Sequence, residues 1–109
     1  MNGKLDVFLI TFYFVGSIYA LGGYNSSWLN TAERFDPREG KWYSIQPMRS
    51  PRSSAGASTM GSYLYVAGGF NGARNLNSAE SYDIRAGKWI KVPPLQNTRY
   101  GMALAVLKM

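Results

Sequence analysis

Three sets of residues in this 109-residue chain are of types that do chemistry. The first is Gly22-Gly23, the glycine pair inside "IYALGGYN", Ile18 to Asn25. An apolar run ending in glycines begins a phosphate-binding loop when the glycines open a helix, whose N-terminal N–H groups hold the phosphate. The second set is the carboxylates Glu33, Asp36, Glu80 and Asp83, which would suit acid–base work if they converged. The third is Arg52 and Arg99, planar forks that grip a carboxylate at two points. The chain has no cysteine and no histidine. Composition therefore excludes disulfides, thiolate metal sites, cysteine nucleophiles and imidazole as base or ligand.

Context removes the phosphate loop. The glycines lead into "YNSSWLNTAERFD", a loop and then an alternating strand, and no Lys-Ser or Lys-Thr follows at the required spacing. The run also recurs. "LYVAGGFN", Leu64 to Asn71, places Gly68 46 residues after Gly22, with Gly69 matching Gly23. "NTAERFDPREGKW" returns as "NSAESYDIRAGKW", with Glu33 and Glu80, Asp36 and Asp83, and Trp42 and Trp89 each 47 residues apart. "PMRSPR" returns as "PLQNTR" at the same spacing. Carboxylates that recur once per repeat read as scaffold, accepting turn and inter-strand hydrogen bonds.

The elements that position these residues are short strands. Ile18 to Leu21 and Leu64 to Ala67 are apolar runs suited to burial on both faces. "ERFD" and "ESYD" alternate polar and aromatic, as half-exposed strands do. Gly40 and Gly87 mark tight turns, each followed by a strand opening on a tryptophan. "SSAGASTM" and "YGMALAVL" supply a further strand of small and apolar residues. Four strands in a unit of about 47 residues is the pattern of a β-propeller blade, so the chain is read as all-β. With 46% hydrophobic and 17% charged residues it is globular rather than disordered.

The net charge of +6 comes from basic residues spread singly along the chain. That pattern favours an acidic peptide or protein over nucleic acid. "VFLITFYFV", Val7 to Val15, is too short to span a membrane, which takes about 20 residues. It reads as a buried strand, with a signal-peptide core as the alternative. The absence of cysteine fits a reducing, cytoplasmic setting; a secretory route is the alternative that the apolar N-terminus allows.

The paired glycines Gly22-Gly23 and Gly68-Gly69, with Phe35 and Tyr82, Trp42 and Trp89 and their spacing, resemble the kelch repeat family. "E-x-[FY]-D", and the arginine after "P-M" or "P-L", are similar to the propellers of BTB-kelch proteins. The resemblance implies a partial kelch-type propeller of two four-stranded antiparallel blades plus the inner strand of a third, with the ring not closed. The expected divisions are a divergent apolar segment over 1–16 in the place of an inner strand, repeats over 17–53 and 54–99, and the start of a further blade over 100–109. In this reading the double glycines let the backbone leave an inner strand where a side chain would collide. Phe35, Tyr82, Trp42 and Trp89 would fill the space between blades. The segment "LDVFLITFYFV" lacks the arginine and small residues of "PRSSAGASTMG", so a truncated isoform or fragment of a longer kelch protein is expected.

Kelch propellers bind partners through loops at one mouth of the ring. The resemblance carries this onto Tyr24, Asn25, Ser26, Ser27 and Trp28, and onto Phe70, Asn71, Gly72, Ala73, Arg74 and Asn75. It also covers Arg49 to Ser53, and Asn97, Thr98, Arg99 and Tyr100. Arg52 and Arg99 either read an acidic partner or pair within their own blade, and the sequence leaves both open. The implied function is a non-catalytic interaction module like the substrate-recognition region of a cullin-3 ubiquitin ligase adaptor, with binding to actin or another cytoskeletal protein as the alternative. No BTB domain lies in these residues, and no cofactor or metal is expected. A copper oxidase on such a propeller would need the histidines and cysteine that are missing, and a sugar-acid epimerase would need a central pocket that two blades cannot enclose. Open blade faces point to self-association.

Overall fold

A computed structural model describes residues 10–14 and 16–94. Eight strands follow in order: β1 (Ile10–Phe14), β2 (Ser17–Leu21), β3 (Ala32–Asp36), β4 (Lys41–Ile45), β5 (Gly56–Met60), β6 (Tyr63–Ala67), β7 (Ala79–Asp83) and β8 (Lys88–Val92). They form two four-stranded sheets, β1-β2-β3-β4 and β5-β6-β7-β8, antiparallel throughout. Within each sheet every strand pairs with its sequence neighbour, and the first blade takes its β1 from the apolar segment that precedes the first repeat. The fold is all-β, a partial propeller whose two described blades do not close a ring. The inner strand of a third blade, expected at "YGMALAVL", lies outside the described residues.

The register is also repeated. Ile18, Phe35 and Trp42 form one row across the first blade, and Leu64, Tyr82 and Trp89 form the matching row across the second. Both outer hairpins turn in the same way. The Asp36 carboxylate accepts the Arg38 N–H at 2.8 Å, and Gly40, at φ +67°, donates its N–H to the Asp36 carbonyl. Asp83 accepts from Arg85 and Ala86, and Gly87 closes the turn onto its carbonyl. These two carboxylates serve as turn acceptors.

Two features depart from the sequence reading. The strands that end in double glycines, β2 and β6, are second in their sheets; β1 and β5 are the strands that adjoin between blades. "ESYD" is not half-exposed either, because Ala79, Glu80, Ser81 and Tyr82 are all buried. Glu80 and Tyr82 point towards the first blade, which covers them.

The core sits between the blades. Tyr19, Leu21, Ala32 and Met48 meet Leu64, Val66, Tyr82 and Trp89 there. Burying each of the larger side chains stabilises the pair by about 1.5–3 kcal/mol. Trp89 also ties the seam with hydrogen bonds, its backbone N–H donating to the Gln46 amide oxygen at 2.9 Å and its indole N–H to the Gln46 carbonyl at 2.6 Å.

Candidate interaction site

Because neighbouring strands run in opposite directions, the β2–β3, β4–β5 and β6–β7 connections emerge at one end, and the hairpin turns lie at the other. The three connections are laced together. Gly23 donates its N–H to the Arg52 carbonyl at 2.8 Å, Arg52 donates to Leu29, and Met48 to Asn30. Ser53 and Phe70 exchange both backbone hydrogen bonds at 3.0 Å. This lacing explains the first double glycine. At Gly22, with φ +62°, a Cβ would overlap the Arg52 carbonyl oxygen, so the connection can pass beneath only a glycine.

Two of the expected partner-facing residues are not at the surface. Arg52 and Ser53 are each 1% exposed. The Arg52 Nε donates to Glu80 at 3.1 Å, Nη1 to the carbonyls of Gly68 and Ser78, and Nη2 to the Ser78 hydroxyl. Glu80 takes a second hydrogen bond, from the Arg49 backbone N–H at 2.7 Å. Burial pushes the guanidinium below its ordinary pKa, and the Glu80 carboxylate works against that shift. Arg52 is therefore the bolt between the β4–β5 connection and the second blade. Neither alternative of the sequence reading holds for it: Arg52 faces no partner, and the carboxylate it pairs with belongs to the second blade rather than its own. Ser53 is held likewise, its hydroxyl donating to the Phe70 carbonyl.

Other expected residues do come together. Tyr24 and Trp28 lie 4.7 Å apart between ring centroids, and Trp28 meets Phe70 edge-on at 5.1 Å. All three are half-buried, so one aromatic cluster spans the loops of both blades. Trp28 reaches across the seam onto Gly72, where a Cβ would collide with the indole. Asn25 and Ser27 close a tight turn through Ser26, whose φ of +64° is unusual for a side chain of its kind. Asn71 accepts the N–H groups of Ala73 and Arg74, holding a short loop that presents Arg74 to solvent. Asn97, Thr98, Arg99 and Tyr100 lie outside the described residues.

The structure adds a cleft that the sequence did not reveal. About 220 Å³ in volume, it is lined by Arg49, Ser50, Ser78 and Lys91 above the Arg52–Glu80 pair. Lys91 sits two residues after Trp89 on β8, so strand alternation turns it to the same side. Glu80 is committed to Arg52, and the charged ends of Arg49, Arg74 and Lys91 have no ion-pair partner among the described residues. Arg34, by contrast, is occupied, stacking over Tyr43 and bonding the Ser17 hydroxyl. The site thus offers an aromatic patch together with cations that are unpaired among the described residues. This suits recognition of an acidic surface.

Two side-by-side blades of four antiparallel strands, with binding-type loops gathered at one end, define a propeller-repeat protein. The Kelch motif matches residues 16–49 and 51–96, and the chain belongs to the kelch-motif family. It is 43% identical over 54 residues to Kelch-like ECH-associated protein 1A of Danio rerio, which covers 50% of this chain and 9% of that protein. It is 41% identical over 58 residues to the influenza virus NS1A-binding protein homolog of Mus musculus, covering 52% of this chain and 9% of the relative. Kelch-like protein 22 of Xenopus tropicalis is 36% identical over 56 residues, with 48% and 9% covered. The match therefore spans about a tenth of the length of these curated relatives.

Proposed function

We propose that the chain is a non-catalytic protein-interaction module that reads an acidic segment of a partner protein at its loop end. The observation that carries this reading is the occurrence at the loop end of the Tyr24–Trp28–Phe70 cluster together with Arg49, Arg74 and Lys91, which have no ion-pair partner among the described residues. Aromatic anchors supply contact area at low entropic cost, and arginine supplies oriented hydrogen bonds to carboxylates. The named relatives support a protein partner, since one is called ECH-associated and another NS1A-binding. In a longer kelch protein the same surface would serve as the substrate-recognition part of a cullin-3 ubiquitin ligase adaptor. A cytoskeletal partner such as actin is the second reading, which the basic loop end favours if the partner's contact surface is acidic.

The test is fluorescence anisotropy with a labelled peptide of alternating glutamate and glycine, beside its lysine counterpart. Binding of the acidic peptide alone, weakened at least tenfold in the Arg49→Ala, Lys91→Ala double variant and lowered by salt, is the expected result. Equal binding of both peptides, or no loss in the variant, would overturn the reading.

A further inference from the structure

The cleft at the loop end has two walls, and both are made of described residues. Arg49 and Ser50, from the β4–β5 connection, form one; Ser78, just before β7, and Lys91 on β8 form the other. Lys91 stands opposite Glu80 in the sheet register, so it shares the face that Glu80 turns to the first blade. The site therefore belongs to the seam between the two blades. The buried Arg52–Glu80 pair is its floor.

The chemistry of this lining is lopsided. Arg49 and Lys91 carry two positive charges with no ion-pair partner among the described residues. The carboxylate present, Glu80, accepts the Arg49 backbone N–H on one oxygen and the Arg52 Nε–H on the other, and Arg52 neutralises it. Donors also outnumber acceptors. A guanidinium has five N–H groups, and Arg52 places four of them, on Glu80, the Gly68 and Ser78 carbonyls and the Ser78 hydroxyl. The remaining one, on Nη2, has no acceptor among the described residues, although Arg52 is buried. Ser78 uses its oxygen to accept from Arg52, so its own O–H, like that of Ser50, is left to serve the cleft. A space of about 220 Å³ with two unpaired cations and two hydroxyls over a neutral pair suits an anion.

The repeat does not call for either cation. The residue 47 places before Lys91 is Ser44, and the residue 47 places after Arg49 is Gln96. Arg52 and Glu80, by contrast, have Arg99 and Glu33 as counterparts at the same spacing. The scaffold residues recur and the two cations do not.

We infer that the cleft takes the phosphate group of a phosphorylated serine or threonine in the partner protein. The inference rests on the reading of the loop end as a protein-binding surface, and it names the group read there. Charge decides between this group and a plain carboxylate. A phosphomonoester carries about −1.5 to −2 at pH 7 on three acceptor oxygens, which matches two cations and leaves an oxygen for the hydroxyls. A carboxylate brings one charge and leaves one cation unmatched. Arg49 grips two phosphate oxygens with its fork, Lys91 supplies a point charge, and Ser50 and Ser78 donate to the third oxygen.

Fluorescence anisotropy of the full chain tests this with three labelled peptides, one glycine–alanine frame carrying phosphoserine, glutamate or serine at its centre. The phosphoserine peptide is expected to bind about tenfold or more tighter than the glutamate peptide, and the serine peptide not to bind. Arg49→Gln and Lys91→Ser install the residues that the other repeat uses at these places. Each is expected to weaken the phosphoserine peptide about fivefold or more while keeping the circular dichroism spectrum. Full binding in both variants would overturn the proposal by placing the phosphate elsewhere. Inorganic phosphate that displaces the peptide as effectively as unlabelled phosphoserine peptide does would overturn the assignment to a partner protein. Equal binding of the phosphoserine and glutamate peptides would sink the phosphate assignment and leave the acidic-segment reading in place. A phosphoserine peptide bound by a chain that ignores the glutamate–glycine peptide would support the phosphate site and sink the wider acidic-segment reading alone.

Discussion

The row Ile18–Phe35–Trp42 in the first blade and the row Leu64–Tyr82–Trp89 in the second are the same piece of sheet in two settings. Their ring geometries agree, but Trp89 is 5% exposed and Trp42 36%. Local strand pairing therefore sets the shape of a blade face, and the neighbouring blade supplies its burial. The covered seam also has what the uncovered face does not have among the described residues: the Arg52–Glu80 ion pair at 3.1 Å, and Gln46 bonding Trp89 twice. The stability of this chain is concentrated at one seam, as expected where each repeat rests on its neighbours.

The comparison breaks most sharply at Arg52. Arg52→Met leaves the Glu80 carboxylate buried without its cation, and the expected cost is about 3–5 kcal/mol in urea unfolding. Arg52→Met combined with Glu80→Gln should recover much of that loss, because the uncompensated charge is gone. A double variant no more stable than the single one would show that packing, not charge, dominates at this position. Next comes the tryptophan pair. Trp89→Ala is expected to cost about 3 kcal/mol or more through lost burial, and Trp42→Ala about 1 kcal/mol or less, since it empties no cavity. Equal losses would mean that the seam does not distinguish the two blades.

Strand positions and their pairing were legible because the repeat is long and its punctuation strong. Gly22, Asp36, Gly40 and Trp42 each recur with a local role that one blade can specify alone. Arg52 was ambiguous for a physical reason. Its partner lies 28 residues on in another blade, and periodicity tells which side a residue faces but not which surface covers that side. The same limit explains Glu80 and Ser81, which alternate like an exposed strand yet are buried. The cleft of Arg49 and Lys91 was invisible for the opposite reason, since Lys91 has Ser44 as its counterpart and breaks the repeat. Sites that arise where repeats differ leave no periodic trace.

A smaller effect is expected at the loop end, where the two blades touch through Trp28. Gly72, at φ +99°, lies against the indole, and Gly72→Ala both strains that backbone and displaces the ring. The expected loss is about 1–3 kcal/mol, with a red shift in tryptophan fluorescence as Trp28 becomes wetter. Unchanged fluorescence would mean that the aromatic cluster does not depend on this contact.

The smallest effect sharpens the comparison furthest. Gln46→Ala keeps the backbone carbonyl that accepts the Trp89 indole and removes only the side-chain oxygen that accepts the Trp89 backbone N–H. The expected cost is about 1 kcal/mol in urea unfolding, the worth of one hydrogen bond of this kind. Gln46→Ala also makes the internal seam resemble the far side of the second blade, where Pro93 stands in the same place. A loss well above 1 kcal/mol would mean that the Gln46 side chain also packs the seam, so that Gln46 and its counterpart Pro93 differ in shape as well as in a single acceptor.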